Sequence, residues 1–264
     1  MKQRLNVFLL TDMEGIAGIN DIGEMDRTAA CFSLSCEKLC ASINLAVNAC
    51  FDAGADRVYY LDGHGGGGNV NAKKIDRRAT KCSLEEWQEL LKNGEIDCQI
   101  ELGAHARAGT IGGFLDHTIS STSIYSIKIN DMEMSEFSLH AILCAKYNVP
   151  IIAVIGDEVA CKQAQEYIPE IYCGAVKVAS CRNVATTDPD ADRILVDTVK
   201  TALANRASVP CIQLQEPLCV EQSFYRTDMC ESALANCSAD VLRVNARTLQ
   251  KEVQCISSYF DLKF

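Results

Sequence analysis

The chain has four histidines, and three of them stand where an apolar run gives way to a glycine-containing loop. His64 lies in Asp62-Gly63-His64-Gly65, His105 in Gly103-Ala104-His105-Ala106, and His117 in Leu115-Asp116-His117-Thr118. A carboxylate pair, Asp12-Met13-Glu14, directly follows another apolar run. If extended backbone persists there, residues i and i+2 face one side and both carboxylates enter one site. Imidazoles with two or three carboxylates suit Zn2+ or a similar divalent ion, and an oxygen-rich set favours a dinuclear centre. Three carboxylates and one hydroxide would roughly neutralise two such ions. The fourth histidine, His140, reads as a hydrogen-bonded structural residue on a helix face.

These residues need a scaffold that brings strand ends together. Arg4 to Thr11 is apolar enough for a buried strand, followed by a helix over Ser33 to Ala53 and a second strand over Ala55 to Asp62. A short helix (Leu84 to Leu91), strands at Cys98 to Leu102 and Ile124 to Ile129, a helix over Ser135 to Lys146 and a strand over Pro150 to Ile155 follow. Val159 to Tyr167 reads as helix, Tyr172 to Val178 as extended, and Pro189 to Asn205 as a helix capped by Asp188. The tail reads as strands at Cys211 to Leu214 and Val241 to Val244, then a helix over Thr248 to Tyr259. Strands alternating with helices of this length predict an α/β fold with a mostly parallel sheet flanked by helices. A smaller C-terminal α/β subdomain is expected over 186–264, after a metal-binding catalytic subdomain over 1–185. In such sheets ligands bind beyond the carboxyl ends of the strands, where the three histidines would converge.

Composition narrows the function. A formal charge of −10 argues against nucleic acid, which requires a basic stripe, and against a cationic membrane-surface protein. No apolar run is long enough for a membrane span or a signal-peptide core, so a cytoplasmic location is expected. Fifteen cysteines with no C-x-x-C read as small buried hydrophobes kept reduced, not as disulfides or zinc fingers. Gly63, Gly65 and Gly68 satisfy G-x-G-x-x-G after a strand, but Asn69 to Lys74 offers no helix to face a pyrophosphate. The run reads instead as a flexible loop beside a site.

Several motifs together resemble the zinc-dependent D-aminopeptidases of the DppA type. They are Thr11-Asp12-Met13-Glu14-Gly15-Ile16-Ala17-Gly18, Asp62-Gly63-His64, Gly103-Ala104-His105-Ala106-Arg107-Ala108, Asp116-His117-Thr118 and Asn130-Asp131 leading to Ser135-Glu136. Gly156-Asp157, Ala175-Val176-Lys177 and Arg182 continue the likeness, which is strongest from residue 5 to 190. The resemblance implies that Asp12, Glu14, His64, His105 and Glu136 hold two zinc ions per chain. It implies that His117 is catalytic without being a ligand, and that short peptides with N-terminal D-residues are the substrates. It also implies a homo-oligomeric ring, a decamer in the best-known form. Where the family usually carries a Gly…Arg/Lys-Pro…Ser-Met…Gly-Leu segment, this chain has Cys82-Ser83-Leu84-Glu85-Glu86-Trp87, beside the expected substrate pocket.

Two other classes of function compete. A dinuclear phosphoesterase would use Asp62-Gly63-His64 as its D-x-H, but it would also want an Asn-His pair, which this chain lacks. A cysteine-rich metal-storage protein would lose its metal on thiol alkylation, whereas an Asp/Glu/His site would survive. Gly109, Gly112 and Gly113 precede His117 and suggest a mobile loop that meets the substrate. Arg107 and Lys177 are candidates to orient a substrate carboxylate or to form structural ion pairs.

Overall fold

The computed structural model describes residues 4–264 as two sheets with helices packed on them. The first sheet takes β1 (Asn6–Thr11), β2 (Arg57–Asp62), β3 (Ala79–Lys81), β4 (Cys98–Ala104), β7 (Ile151–Asp157), β8 (Tyr172–Cys181) and β9 (Val184–Thr187). Their order is β3-β2-β1-β4-β7-β8-β9, parallel except for the terminal β8–β9 hairpin. β1 and β7 are buried at every position, as expected of strands covered on both faces. The helices are α1 (Phe32–Asp52), α2 (Leu84–Lys92), α3 (Glu136–Lys146), α4 (Glu158–Tyr167) and α5 (Ala191–Ala204). α5 packs on α1, β7 and β8, while α4 packs on β7, β8 and α3. The expected mostly parallel α/β architecture is present.

The second sheet is antiparallel, ordered β11-β12-β10-β5-β6. It joins β5 (Ile124–Ile129) and β6 (Met132–Glu133) to β10 (Leu218–Phe224), β11 (Leu242–Asn245) and β12 (Thr248–Val253), with α6 (Thr227–Leu234) against β10 and β12. Strands from both sides of residue 185 therefore share this sheet, and α5 packs on the first one.

Three tail expectations are corrected. Thr248 to Tyr259 is not a helix: its first half is β12, paired on both sides, and only Tyr259–Leu262 makes a 3-10 turn. Cross-strand pairing there overrides the helix preference of Gln250, Lys251 and Glu252. Cys211 to Leu214 is irregular, and the strand lies at β10, whose inward residues Leu218, Val220, Gln222 and Phe224 alternate with half-exposed ones. α5 starts at Ala191, and Asp188 accepts from Asp190 N at 2.8 Å instead of capping the helix.

All fifteen cysteines are unpaired; Cys50, Cys98 and Cys144 pack as core, but Cys31, Cys181 and Cys255 are exposed. No helix among the described residues is long and apolar enough to cross a membrane.

Candidate active site

The order of the first sheet turns over at β1, with β2 on one side and β4 on the other. Such a switch point opens a crevice beyond the strands' carboxyl ends. Asp12 and Glu14 follow β1, His64 follows β2, and His105 follows β4. Two motif glycines let these ends meet. A Cβ on Gly15 would sit 2.2 Å from Ala104 O, and one on Gly103, at φ 86°, would sit 2.0 Å from Asp12 O. Backbone bonds then lock the contact, Asp12 N to Leu102 O and Gly15 N to Gly103 O, both 2.8 Å.

Extension does not persist beyond Thr11: Met13 to Gly15 turn, and Ile16 N donates to Met13 O. Met13 drops into the core, and both neighbouring carboxylates still reach His64. Helix α3 supplies Glu136 as its first residue, after the Ser135 cap.

Three carboxylates and three imidazoles alternate around a closed ring. Asp12 Oδ1 lies 3.1 Å from His64 Nδ1 and Asp12 Oδ2 lies 3.5 Å from His105 Nε2. Glu136 Oε1 is 3.4 Å from His105 Nε2 and 3.7 Å from His117 Nε2. Glu14 closes the circuit, 3.9 Å from His117 Nε2 and 2.9 Å from His64 Nδ1. All six predicted site residues are thus brought together. Within the ring, Asp12, Glu14 and His64 form one compact donor group, and His105, His117 and Glu136 a second.

The tautomers are set from outside the ring. His105 Nδ1 donates to Ala106 O at 3.0 Å and His117 Nδ1 to Leu115 O at 2.8 Å, because a carbonyl can only accept. Both Nε2 atoms therefore point inward. Buried His105 Nε2 has no hydrogen-bond partner, although it faces two carboxylate oxygens. A divalent cation among these donors would satisfy all of them, so the residues fit a metal.

The electrostatics also call for positive charge. Burial opposes ionisation of Asp12, but the neighbouring His105 and His64 imidazoles outweigh it and hold the carboxyl well below its usual range. Burial and the Asp12 charge push Glu14 up. Glu136 is held down at about 2, its burial outweighed by His105. Burial resists a proton on His64, yet Asp12 and Glu14 drive it up to about 10.

The His117 loop is pinned, contrary to the mobility its glycines suggest. Buried Asp157 accepts from Phe114 N at 2.6 Å, Asp116 accepts from Gly109 N at 2.8 Å, and Arg182 pairs with Asp116 at 3.1 Å. Leu115 and Ile119, on either side of His117, hold positive φ of 43° and 68°. Such strain persists only where the surroundings enforce it.

Other candidates have structural partners. Arg107 pairs with Glu166 at 2.8 Å, and buried Lys177 donates to Glu14 O and Ile19 O, so neither offers a free cation to a substrate. Asp62 accepts from Asn69 N, Asn69 Nδ2 and Val70 N, stapling the glycine loop. No α-helix opens at Gly68; the next element is a 3-10 turn at Ala72–Lys74. His140 stays outside the ring, paired with Glu101 at 3.3 Å.

The ring opens into two clefts. One, of about 470 Å3, is lined by Glu14, His64, His117 and Ser120. The other, of about 630 Å3, is lined by Asp12, Glu136, His140 and Lys263.

Comparison with known proteins gives the family. A family model described as D-aminopeptidase (peptidase M55) matches residues 5–262. A curated D-aminopeptidase of Bacillus subtilis (strain 168) is 28% identical over 213 residues, covering 78% of this chain and 76% of that protein. A solved structure, described as the Zn-dependent D-aminopeptidase DppA from Bacillus subtilis, a self-compartmentalizing protease, has the same fold. It superposes with a TM-score of 0.85 at 23% identity, over 95% of this chain and 92% of the other. The chain is a peptidase and belongs to the D-aminopeptidase family.

Proposed function

We propose that the chain is a dinuclear zinc aminopeptidase that removes N-terminal D-residues from short peptides. The observation that carries this reading is the alternating ring, in which two donor groups of three residues lie side by side. Asp12, Glu14, His64, His105 and Glu136 would hold the ions, with Asp12 between the two groups because its oxygens face His64 and His105 separately. Zinc bound there would polarise the scissile carbonyl and acidify a water at neutral pH.

The protein's own groups do the rest. His117 lines the 470 Å3 cleft and is more exposed than His105 (12% against 3% of the side chain), which supports a role in contact with substrate. Its Nδ1–H is committed to Leu115 O, so Nε2 is the atom that exchanges a proton with the leaving amine. Asp26, a carboxylate on the wall of that cleft that is not among the ligands, suits the substrate's free ammonium and would favour exopeptidase action. A phosphoesterase reading would spend Asp62 on the metal, whereas the glycine loop already occupies both its oxygens.

We further propose a homo-oligomer, in keeping with the self-compartmentalizing relative, which light scattering would report as a mass well above 28.8 kDa. A screen of D- and L-aminoacyl dipeptides against the zinc-loaded protein tests the activity. Turnover of D-aminoacyl dipeptides is expected; aryl phosphate hydrolysis with no peptide turnover would overturn it.

A further inference from the structure

The 630 Å3 cleft shares Asp12 and Glu136 with the ring, and its lining also carries Asp62, Lys81, Glu85, Tyr259 and Lys263. Its size is in the range that holds a small ligand. Two features single out Lys263. The first is how firmly it is placed. Tyr259 N donates to Gln88 Oε1 at 2.8 Å, Lys251 Nζ donates to Lys263 O at 2.8 Å, and Phe264 N donates to Gln222 Oε1 at 3.1 Å. The tail is therefore tied to α2, β12 and β10, and the Lys263 ammonium rests 4.8 Å from the Tyr259 ring centre and 5.5 Å from that of Phe260.

The second feature is that this cation has no anion. Among the described residues no carboxylate lies within salt-bridge reach of the half-buried Lys263 Nζ, and it donates no hydrogen bond. Burial lowers its proton affinity, opposed by the charge of Glu136 across the cleft. A half-buried ammonium held only by aromatic faces gains most from an anion that arrives with its own ligand. The other cleft, with Asp26 on its wall, carries no lysine or arginine, whereas Lys81 and Lys263 both line this one beside Asp62 and Glu85, so positive charge is confined to the Lys263 cleft. A zwitterionic short peptide fits that polarity in one direction only.

We propose that Lys263 binds the C-terminal carboxylate of a short peptide lying in this cleft, making it a specificity residue that selects free-acid peptides ending close to the scissile bond. The proposal rests on the aminopeptidase reading, and supplies its reason for preferring short substrates: a longer chain would carry its carboxylate past Lys263.

The test is calorimetric titration of the zinc-loaded protein with a non-hydrolysable, reduced-amide analogue of D-alanyl-D-alanine, as the free acid and as its C-terminal amide. The wild-type chain is expected to prefer the acid by about tenfold or more, and Lys263→Met to bring that ratio to about one. Lys263→Arg should retain the preference. No acid preference in the wild-type chain, or one that survives Lys263→Met, overturns the proposal. Hydrolysis of D-alanyl-D-alanine, followed in parallel, reports on the aminopeptidase reading separately. No turnover with an intact, Lys263-dependent acid preference would sink that reading and leave the carboxylate site standing.

Discussion

His105 and His117 stack face to face, with ring centroids 4.0 Å apart and planes within 2° of parallel. Each is tethered through Nδ1 to a backbone carbonyl, and each aims Nε2 at the same Glu136 oxygen. The pair divides by burial: His105 lies beneath, sealed from both large clefts, while His117 faces one of them. Two like groups in one stack thereby have different environments, and like groups in different environments can serve different roles.

That division predicts different outcomes for the two alanine variants. His105→Ala removes a donor from the ring and should lower zinc content together with activity. His117→Ala should keep both metals and the melting temperature while kcat falls by roughly 10²–10⁴. Elemental analysis of the purified variants beside their kinetics checks this, and loss of a metal from His117→Ala would make that histidine a ligand.

Metal removal should be felt by the fold as well as by catalysis. About two equivalents of zinc per chain are expected on reconstitution, since the ring has more donors than one tetrahedral ion takes. Stripping them with a chelator should abolish peptidase activity and lower the melting temperature, because ions that bind only the folded chain stabilise it. A reconstituted protein with one equivalent or none would exclude the dinuclear site.

The glycines that let β1 and β4 meet should tolerate no side chain. Gly103→Ala would force a Cβ to 2.0 Å from Asp12 O at a left-handed backbone position, and Gly15→Ala would force one to 2.2 Å from Ala104 O. Each should destabilise by about 3 kcal/mol or more in urea denaturation. Each should also lower zinc content, because Asp12, Glu14 and His105 all hang on that contact. Gly94→Ala, where a Cβ meets nothing within 4 Å, is the control for the cost of positive φ alone.

Much of the site was legible because its residues sit at the ends of runs whose composition is unambiguous. β1, β2 and β4 are buried apolar segments, so Asp12, His64 and His105 could be placed at strand ends from the sequence. Glu136 could not be found that way: it opens a helix, and only the family resemblance pointed to it. The His117 loop looked mobile because glycines are visible locally. Its restraints, Asp157 and Arg182, lie about 40 and 65 residues away and are visible only in the fold. The second sheet was misread for a related reason. Residues of β12 such as Gln250 and Lys251 become strand only because β10 and β11 pair with them. Lys263 carried no signal at all, since its meaning depends on a tail anchored to α2, β12 and β10.

The last prediction concerns Lys177, a buried cation beneath the ring. Its ammonium donates to Glu14 O at 2.7 Å and also to Ile19 O, and it lies 4.8 Å from the centre of the Phe114 ring. Burial pulls its pKa down to about 7, against the attraction of Asp157 and Glu14. The folded chain therefore binds this proton more weakly than the unfolded chain, where lysine titrates near about 10.4. Below pH 7 both states carry the proton and the full cost of burying the charge is present. Between about pH 7 and pH 10 the unfolded state holds more of it, so stability rises with pH across that window and levels off above it. Lys177→Met loses the bonds to Glu14 O and Ile19 O, and with them some stability at alkaline pH. It should also lose the rise itself, so the difference between the two proteins changes by up to a few kcal/mol from pH 7 to pH 10. Urea denaturation of both metal-free proteins across that range checks this, and parallel curves would show that Lys177 titrates normally.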